Sequence, residues 1–399
     1  MEKKIDINRK IPKITLISAS IFMKNITDGI QEIYNELGKI FEFKSYFLND
    51  VDSGKVKKEV FVKEIYESEV MLIDIRGNCP TVEILVETYS KMEREDPELF
   101  ESKIIIALVG GNSEIRRLTK MGSFMARKIP APKRTEYGID EIPDLTDAVR
   151  FGQKMTEMMK LLGKILPIKS LRHARYWVFM MDYWVYGFAG MASNHKNMIL
   201  FLLKHYLGYK DLDVPKPVKI PSYGIYDIQL NKYFDKIENY LSEKPLNPNK
   251  QTIGLFYYGG LYFEQSLPIV EQFTNYLSDY NIIPVFSDIL TNVEAHEKFF
   301  FRKGIKIVSL IINLQYFQLN GGPLGGDGSV TLELFKKIDV PHFNPIIQFD
   351  MPYEEYQNSQ EGIIAINQII AVVMPELDGR IEMLTVGCMK NLGYSEEIH

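Results

Sequence analysis

The sequence predicts an α/β protein of two doubly wound parallel-sheet domains joined by a helical insert. Three observations carry this. Short β-rich runs alternate with amphipathic helical stretches from Lys13 to Gly111, the same alternation returns from Gln251, and Pro/Gly-rich crossings bracket an aromatic, helical stretch between them. Such alternation is what βαβ units produce, because a parallel strand pair needs a crossover long enough to hold a helix.

The first domain falls at residues 11–130. KITLIS, FEFKSYFL, EVMLIDIRG and KIIIALVGG read as strands, being rich in the apolar residues of strands covered on both faces. DGIQEIYNELGKIF and TVEILVETYSKM are the helices between them. In the first, Ile30, Ile33, Tyr34, Leu37 and Phe41 share a face, and Asp28 followed by Gln31 predicts a capping box. A flavodoxin-like sheet of this kind places ligand crevices at the carboxyl ends of its strands, where Asp74, Arg76 and the turn GGNSE fall. For that turn the simpler reading is a tight bend at Gly110 and Gly111 with Ser113 capping the next helix.

PAPKRTEYGIDEIP, from Pro130 to Pro143, is a linker, and residues 143–245 form the helical insert with its exit crossing. LTDAVRFGQKMTEMMKLLGKIL, SLRHARYWVFMMDYWVYGFAG and SNHKNMILFLLKHYLGY are its helices. The most apolar run, Tyr176 to Ala192, carries Asp182 and falls short of the roughly 20 residues a spanning helix needs, so a buried helix is expected and no membrane partner. Its rings at Trp177, Tyr183, Trp184 and Tyr186 suit core packing, or stacking on a flat ligand. Asn194 reads as a helix cap beside His195. DVPKPVKIPSYGIYD and the helix LNKYFDKIENYLSEK then lead to a boundary at LNPNKQ.

The second domain, residues 251–399, runs TIGLFYYGG, the helix SLPIVEQFTNYLSDY, NIIPVFSDIL, the helix VEAHEKFFFRKG, and the strand KIVSLIINL. That strand feeds NGGPLGGDGS, then the helix TLELFKKID and the strand VPHFNPIIQF. The glycine loop has neither the lysine nor the hydroxyl of a P-loop, and GDGSVT has Thr331 where the third glycine of a dinucleotide fingerprint belongs. It predicts a backbone turning through positive φ, with little side-chain bulk before the strand ends. His342, at the head of a strand, reads as structural, and EAHE around His296 lacks the spacing of a metal motif.

Bulk properties narrow the function. A formal charge of -5, with no polybasic run, argues against nucleic acid as a partner. Cys79 and Cys388 form neither a C-x-x-C pair nor a disulfide framework, and the N-terminus lacks the apolar core of a signal peptide, so a cytoplasmic location is expected.

The segment from INLQYFQLNGGPLGGDGS through IDVP (Ile338 to Pro341), EEYQNS and MPELDGRIE (Met374 to Glu382) resembles the large subunits of ATP-dependent tetrapyrrole metal chelatases. These are the CobN cobaltochelatase and magnesium chelatase H family. PELDG after an apolar helix is the most specific of these marks, and the FYYGG-to-PVF segment, PKPVKIPSYGIYD, and YWVYGFAGMASNHKNMILFLLKHYLG are similar to further parts of it. Family members are longer, so this chain is expected to be an N-terminal portion or a short paralogue. Where the family's turn after its FY strand commonly carries a basic or imidazole group, Tyr257, Tyr258 and Gly259 stand here.

The resemblance implies a protein that binds a tetrapyrrole, a corrin precursor above a porphyrin, and a divalent metal as substrate, cobalt above magnesium or nickel. ATP would be used only through a partner, an AAA+ ATPase subunit assisted by an integrin-type subunit. Glu376 is implied as the catalytic carboxylate and a metal ligand, since oxygen donors bind such ions and accept protons. Gly321, Gly322, Pro323, Tyr257 and Tyr258 are implied as the tetrapyrrole cleft. Asp378, before Gly379, reads as a turn former. The alternative is a non-catalytic tetrapyrrole carrier, regulator or interaction module of the same descent.

Overall fold

The computed structural model describes residues 11–19, 23–75, 77–109, 112–128, 169–187, 193–219, 221–322, 325–360, 362–363, 365–380 and 383–389. The chain divides into two compact α/β units, one reaching to Val218 and the other running from Lys219 to Gly393.

The first unit is built on strands β1 (Lys13–Ser18), β2 (Glu42–Phe47), β3 (Val70–Asp74), β4 (Ile104–Ala107), β5 (Lys120–Met121) and β6 (Phe124–Met125), in sheet order β2-β1-β3-β4-β5-β6. The first four are parallel, and β5 and β6 add an antiparallel edge. Every residue of β3 is buried, as a strand covered on both faces requires. Helix Lys24–Leu37 starts a turn earlier than expected, so no capping box forms at Asp28. Asp28 instead bonds Lys24 one turn back, and Gln31 donates to Asn35 at 3.1 Å, both i,i+4 pairs on the exposed face. The cap of helix Ser113–Leu118 is Asn112 rather than Ser113, accepting from the Glu114 and Ile115 amides at 2.9 and 3.0 Å.

Helices Lys169–Gly187 and Asn194–His205 pack on each other within this unit, the first also against β4, β5 and β6 and the second against helix Lys24–Leu37. Trp177 and Trp184 are fully buried, and the Trp177 indole donates to the Ala107 carbonyl at 2.7 Å, so these rings are core. Asn194 holds the Val218 backbone from both sides, at 2.8 and 3.0 Å, instead of capping its helix.

The second unit carries β7 (Tyr223–Asp227), β8 (Lys232–Phe234), β9 (Thr252–Tyr258), β10 (Asn281–Ser287), the short hairpin β11 (Phe301–Arg302) and β12 (Ile305–Lys306), β13 (Leu310–Asn313) and β14 (His342–Phe343). Its sheet order is β14-β13-β9-β10-β7-β8. β14, β13, β9 and β10 are parallel, while β7 and β8 form an antiparallel edge, β7 from residues that read as a linker crossing and β8 from the start of LNKYFDKIENYLSEK, which read as a helix but is helical only over Ile237–Glu243. The connection from β9 steps to one side and that into β13 returns to the other, which makes the β9/β13 boundary the switch point where such sheets open a crevice. A separate parallel pair, β15 (Ile346–Pro352) with β16 (Thr385–Met389), follows. Phe256, Ile283, Val285, Phe299, Phe300 and Ile311 centre the core. No helix among the described residues is long and apolar enough to cross a membrane.

Candidate functional site at the strand ends of the second unit

β13 ends at Asn313, whose side-chain oxygen accepts from the Gln315 amide at 2.9 Å and turns the chain off the sheet. Gln315 Nε2 donates to the Tyr257 and Ser287 carbonyls at 2.8 and 3.2 Å, so one buried amide ties the exits of β9 and β10 to that of β13. The Tyr316 amide donates to Tyr258 Oη at 2.6 Å, and Tyr316 Oη accepts from the Ile347 amide at 3.0 Å while donating to its carbonyl.

Tyr257 and Tyr258 thus stand at the switch point as buried packing groups. The Tyr257 ring lies 6.1 Å from Phe263 and 6.2 Å from Phe286, and Tyr258 lies 5.2 Å from Tyr262 and 6.1 Å from Tyr316. Burial pushes both phenols well above their ordinary range, so they stay neutral.

In the glycine loop, Gly321 (φ +81°) and Gly322 (φ +56°) occupy the left-handed region. A Cβ at Gly321 would stand 2.6 Å from the Gly325 carbonyl oxygen, and one at Gly322 would stand 2.4 Å from Ile289 Cγ2. The loop closes on itself and on Ile289, which is why it has no room for side chains. Pro323 lies outside the described residues. Two non-glycine residues beside the loop are also left-handed, Ile289 (φ 79°) and Phe317 (φ 62°), and strain of this kind collects at binding and switching sites.

The PELDG segment closes the site. It ends a helix from Ala365 to Leu377 whose middle turn, Ile369–Val373, is π-helical, a geometry frequent at functional sites. Asp378, Gly379 and Arg380 turn back through bonds to the Pro375 and Glu376 carbonyls, with Gly379 at φ +77°, so the expected turn is present. Asp378 also does something the sequence did not announce. Its Oδ2 accepts from the Leu319 amide at 2.5 Å and pairs with Arg380 at 3.2 Å, both side chains being 1% exposed. Arg380 in turn donates to Asn344 Oδ1 at 2.7 Å and to the Phe317 carbonyl, and burial draws its guanidinium down to about 10 against the upward pull of Asp378. This ion pair latches PELDG onto the chain that enters the glycine loop.

Glu376 is exposed on this turn. Ile369, Val373 and Leu377, spaced four apart along the same helix, are 51%, 47% and 66% exposed, leaving an apolar strip that ends next to the carboxylate. Among the described residues no three His, Cys, Asp or Glu side chains gather as a metal-ligating group, so Glu376 has no such companions there. The structure therefore brings Gly321, Gly322, Tyr258 and the PELDG turn into one neighbourhood, with Tyr257 behind it in the core. Sequence reasoning missed Arg380, Asn344 and Gln315. The opposite charges of LDGR were the available signal.

In the first unit, Asp74 is buried and accepts from Ser18 Oγ at 2.9 Å, while Arg76, Gly110 and Gly111 lie outside the described residues. His195 is buried against Trp184 with Nε2 3.0 Å from the Trp184 carbonyl, and burial lowers it to about 4.

The sequence matches the CobN/Magnesium Chelatase family over residues 181–398, more than half of the chain. The chain belongs to that family. Its similarity to the chloroplastic magnesium-chelatase subunit ChlH of Oryza sativa subsp. indica is 20% identity over 419 residues, covering 98% of this chain and 29% of that protein. The magnesium-chelatase H protein of Rhodobacter capsulatus is 24% identical over 284 residues, covering 68% of this chain and 23% of the relative. An uncharacterized protein of Methanocaldococcus jannaschii is 31% identical over 216 residues, covering 51% and 16%. The chain thus spans less than a third of the length of these curated relatives. The family match takes in the switch point, the glycine loop and the PELDG latch.

Proposed function

We propose that this member of the CobN/magnesium chelatase family acts as a large-subunit-type component of an ATP-dependent metal chelatase. It binds a tetrapyrrole at the strand ends of the second unit, and a divalent metal is its substrate. The observation that carries the reading is the exposed apolar strip Ile369, Val373 and Leu377 ending at the Glu376 carboxylate, latched beside the glycine loop by Asp378 and Arg380. A flat macrocycle is mostly apolar and needs one basic group where its pyrrole protons leave.

Insertion strips water from the ion and releases the inner N–H protons of the macrocycle, one from a corrin and two from a porphyrin, the first to a protein base and any second to water. The Glu376 carboxylate serves as proton acceptor and transient oxygen ligand. Gly321 and Gly322 keep the loop free of side chains next to the macrocycle. A corrin precursor and cobalt are the favoured substrates, and ATP is hydrolysed in the cytoplasm by a separate AAA+ subunit with an integrin-type partner.

The test is metal insertion followed by absorbance, with the partner subunits added to the full chain. Glu376→Gln should keep tetrapyrrole binding and lower the insertion rate by about 100-fold or more, the scale of lost general-base assistance. An unchanged rate would remove Glu376 from the mechanism. Tetrapyrrole binding with no insertion under any subunit combination would instead favour the carrier role.

A further inference from the structure

Behind the proposed tetrapyrrole site, the second unit holds a pair of imidazoles that lie far apart in the sequence and share no motif there. His296, on helix Asn292–Phe299, is fully buried. Its Nδ1 lies 2.8 Å from the Asn292 carbonyl, an oxygen that can only accept, so the proton of the neutral ring sits on Nδ1 and a lone pair on Nε2. That Nε2 has no partner. His342, at the start of β14, is half-buried as a residue, yet both its ring nitrogens are shut off from solvent and unpartnered. The two ring centres are 5.6 Å apart.

A carbonyl that fixes the remote nitrogen and leaves the other bare is the arrangement found behind metal-bound histidines. Two imidazoles on one ion, with bonds of about 2.1 Å at a tetrahedral angle, have ring centres roughly 5 Å apart, close to the spacing here. Burial holds both rings neutral, so neither has a proton to lose before ligation. The Arg380 charge that reaches both rings is matched by Asp378. Asn292, 1% exposed with both amide atoms unpartnered, lies one helical turn from His296 and supplies an oxygen donor on the same helix.

We propose that His296 and His342 form a two-imidazole holding site for a divalent transition-metal ion of the cobalt, nickel or zinc class, with Asn292 and water completing the shell. Imidazole selects these ions over magnesium, which prefers oxygen. Two protein nitrogens leave several positions open, which suits an ion held for transfer rather than a structural one. The proposal rests on the chelatase reading only for the ion's onward use.

The test is titration of the metal-free full chain with Co2+ alone, followed by visible absorption, with Mg2+ as control and no tetrapyrrole present. One Co2+ should bind per chain, and His296→Phe and His342→Phe, which keep the rings packed against Phe256 and Phe335, should each weaken it at least about tenfold. X-ray absorption at the cobalt edge of the wild-type complex should show two imidazoles, a readout independent of how the variants fold. No Co2+ binding, unchanged binding in both folded variants, or a shell without imidazole overturns the site. A chain that binds a tetrapyrrole but fails this test leaves the chelatase reading standing, and a chain that binds Co2+ here but no tetrapyrrole does the reverse.

Discussion

Asp378 and Arg380 sit two residues apart around a glycine, and together they hold two separate segments of the second unit, one through the Leu319 amide and the Phe317 carbonyl and the other through Asn344. Removing one partner of a buried pair leaves the other charge uncompensated, so Arg380→Ala should cost about 3–5 kcal/mol in urea unfolding of this unit. Arg380→Lys should recover only part of it, because an ammonium cannot reproduce the guanidinium fork. His195 sets a pH dependence in the first unit. Its folded value of about 4 lies below the ordinary 6.5, so the unfolded chain binds the proton more readily between those values. Its contribution is complete above pH 6.5 and falls away as pH drops toward 4, at about 1.4 kcal/mol per pH unit. Denaturant midpoints measured from pH 7 to pH 5 should therefore fall for the wild type, and the slope should flatten in His195→Asn.

At the scale of elements, the parallel strands were legible because each is a continuous apolar run, and β1, β3, β9 and β10 lie where KITLIS, EVMLIDIRG, TIGLFYYGG and NIIPVFSDIL placed them. The antiparallel β7 and β8 were not, since YGIYD follows a Pro-rich stretch and its pairing with β10 is a long-range event. Positive φ in the glycine loop could be read from composition, but not the Ile289 contact that enforces it. The latch was hidden for a similar reason: Asp378 reaches Leu319, 59 residues back. Gly322→Val combines a left-handed backbone with a Cβ 2.4 Å from Ile289 Cγ2, so it should destabilise the second unit by about 1–3 kcal/mol and speed amide exchange in the loop. Trp177→Ala, removing a fully buried indole from helix Lys169–Gly187, should cost about 3–5 kcal/mol.

For the whole molecule, each unit has its own sheet and its own buried core. Trp177→Ala should accordingly raise hydrogen exchange mainly in residues up to 218, and Arg380→Ala mainly beyond 219, as expected of separate cooperative units. Exchange spreading equally through both units from either change would show that the chain unfolds as one. The functional claim lies with the second unit alone, where the family match, the switch point and the PELDG latch coincide. Its most direct test is a fluorescence and absorbance titration of the full chain with a metal-free corrin precursor and, separately, a porphyrin, repeated with Gly321→Val and Glu376→Ala. Saturable binding, tighter for the corrin precursor and weakened by both changes in folded protein, is the predicted result. Absence of binding to either macrocycle, or binding indifferent to both substitutions, would contradict a tetrapyrrole site at this edge of the sheet.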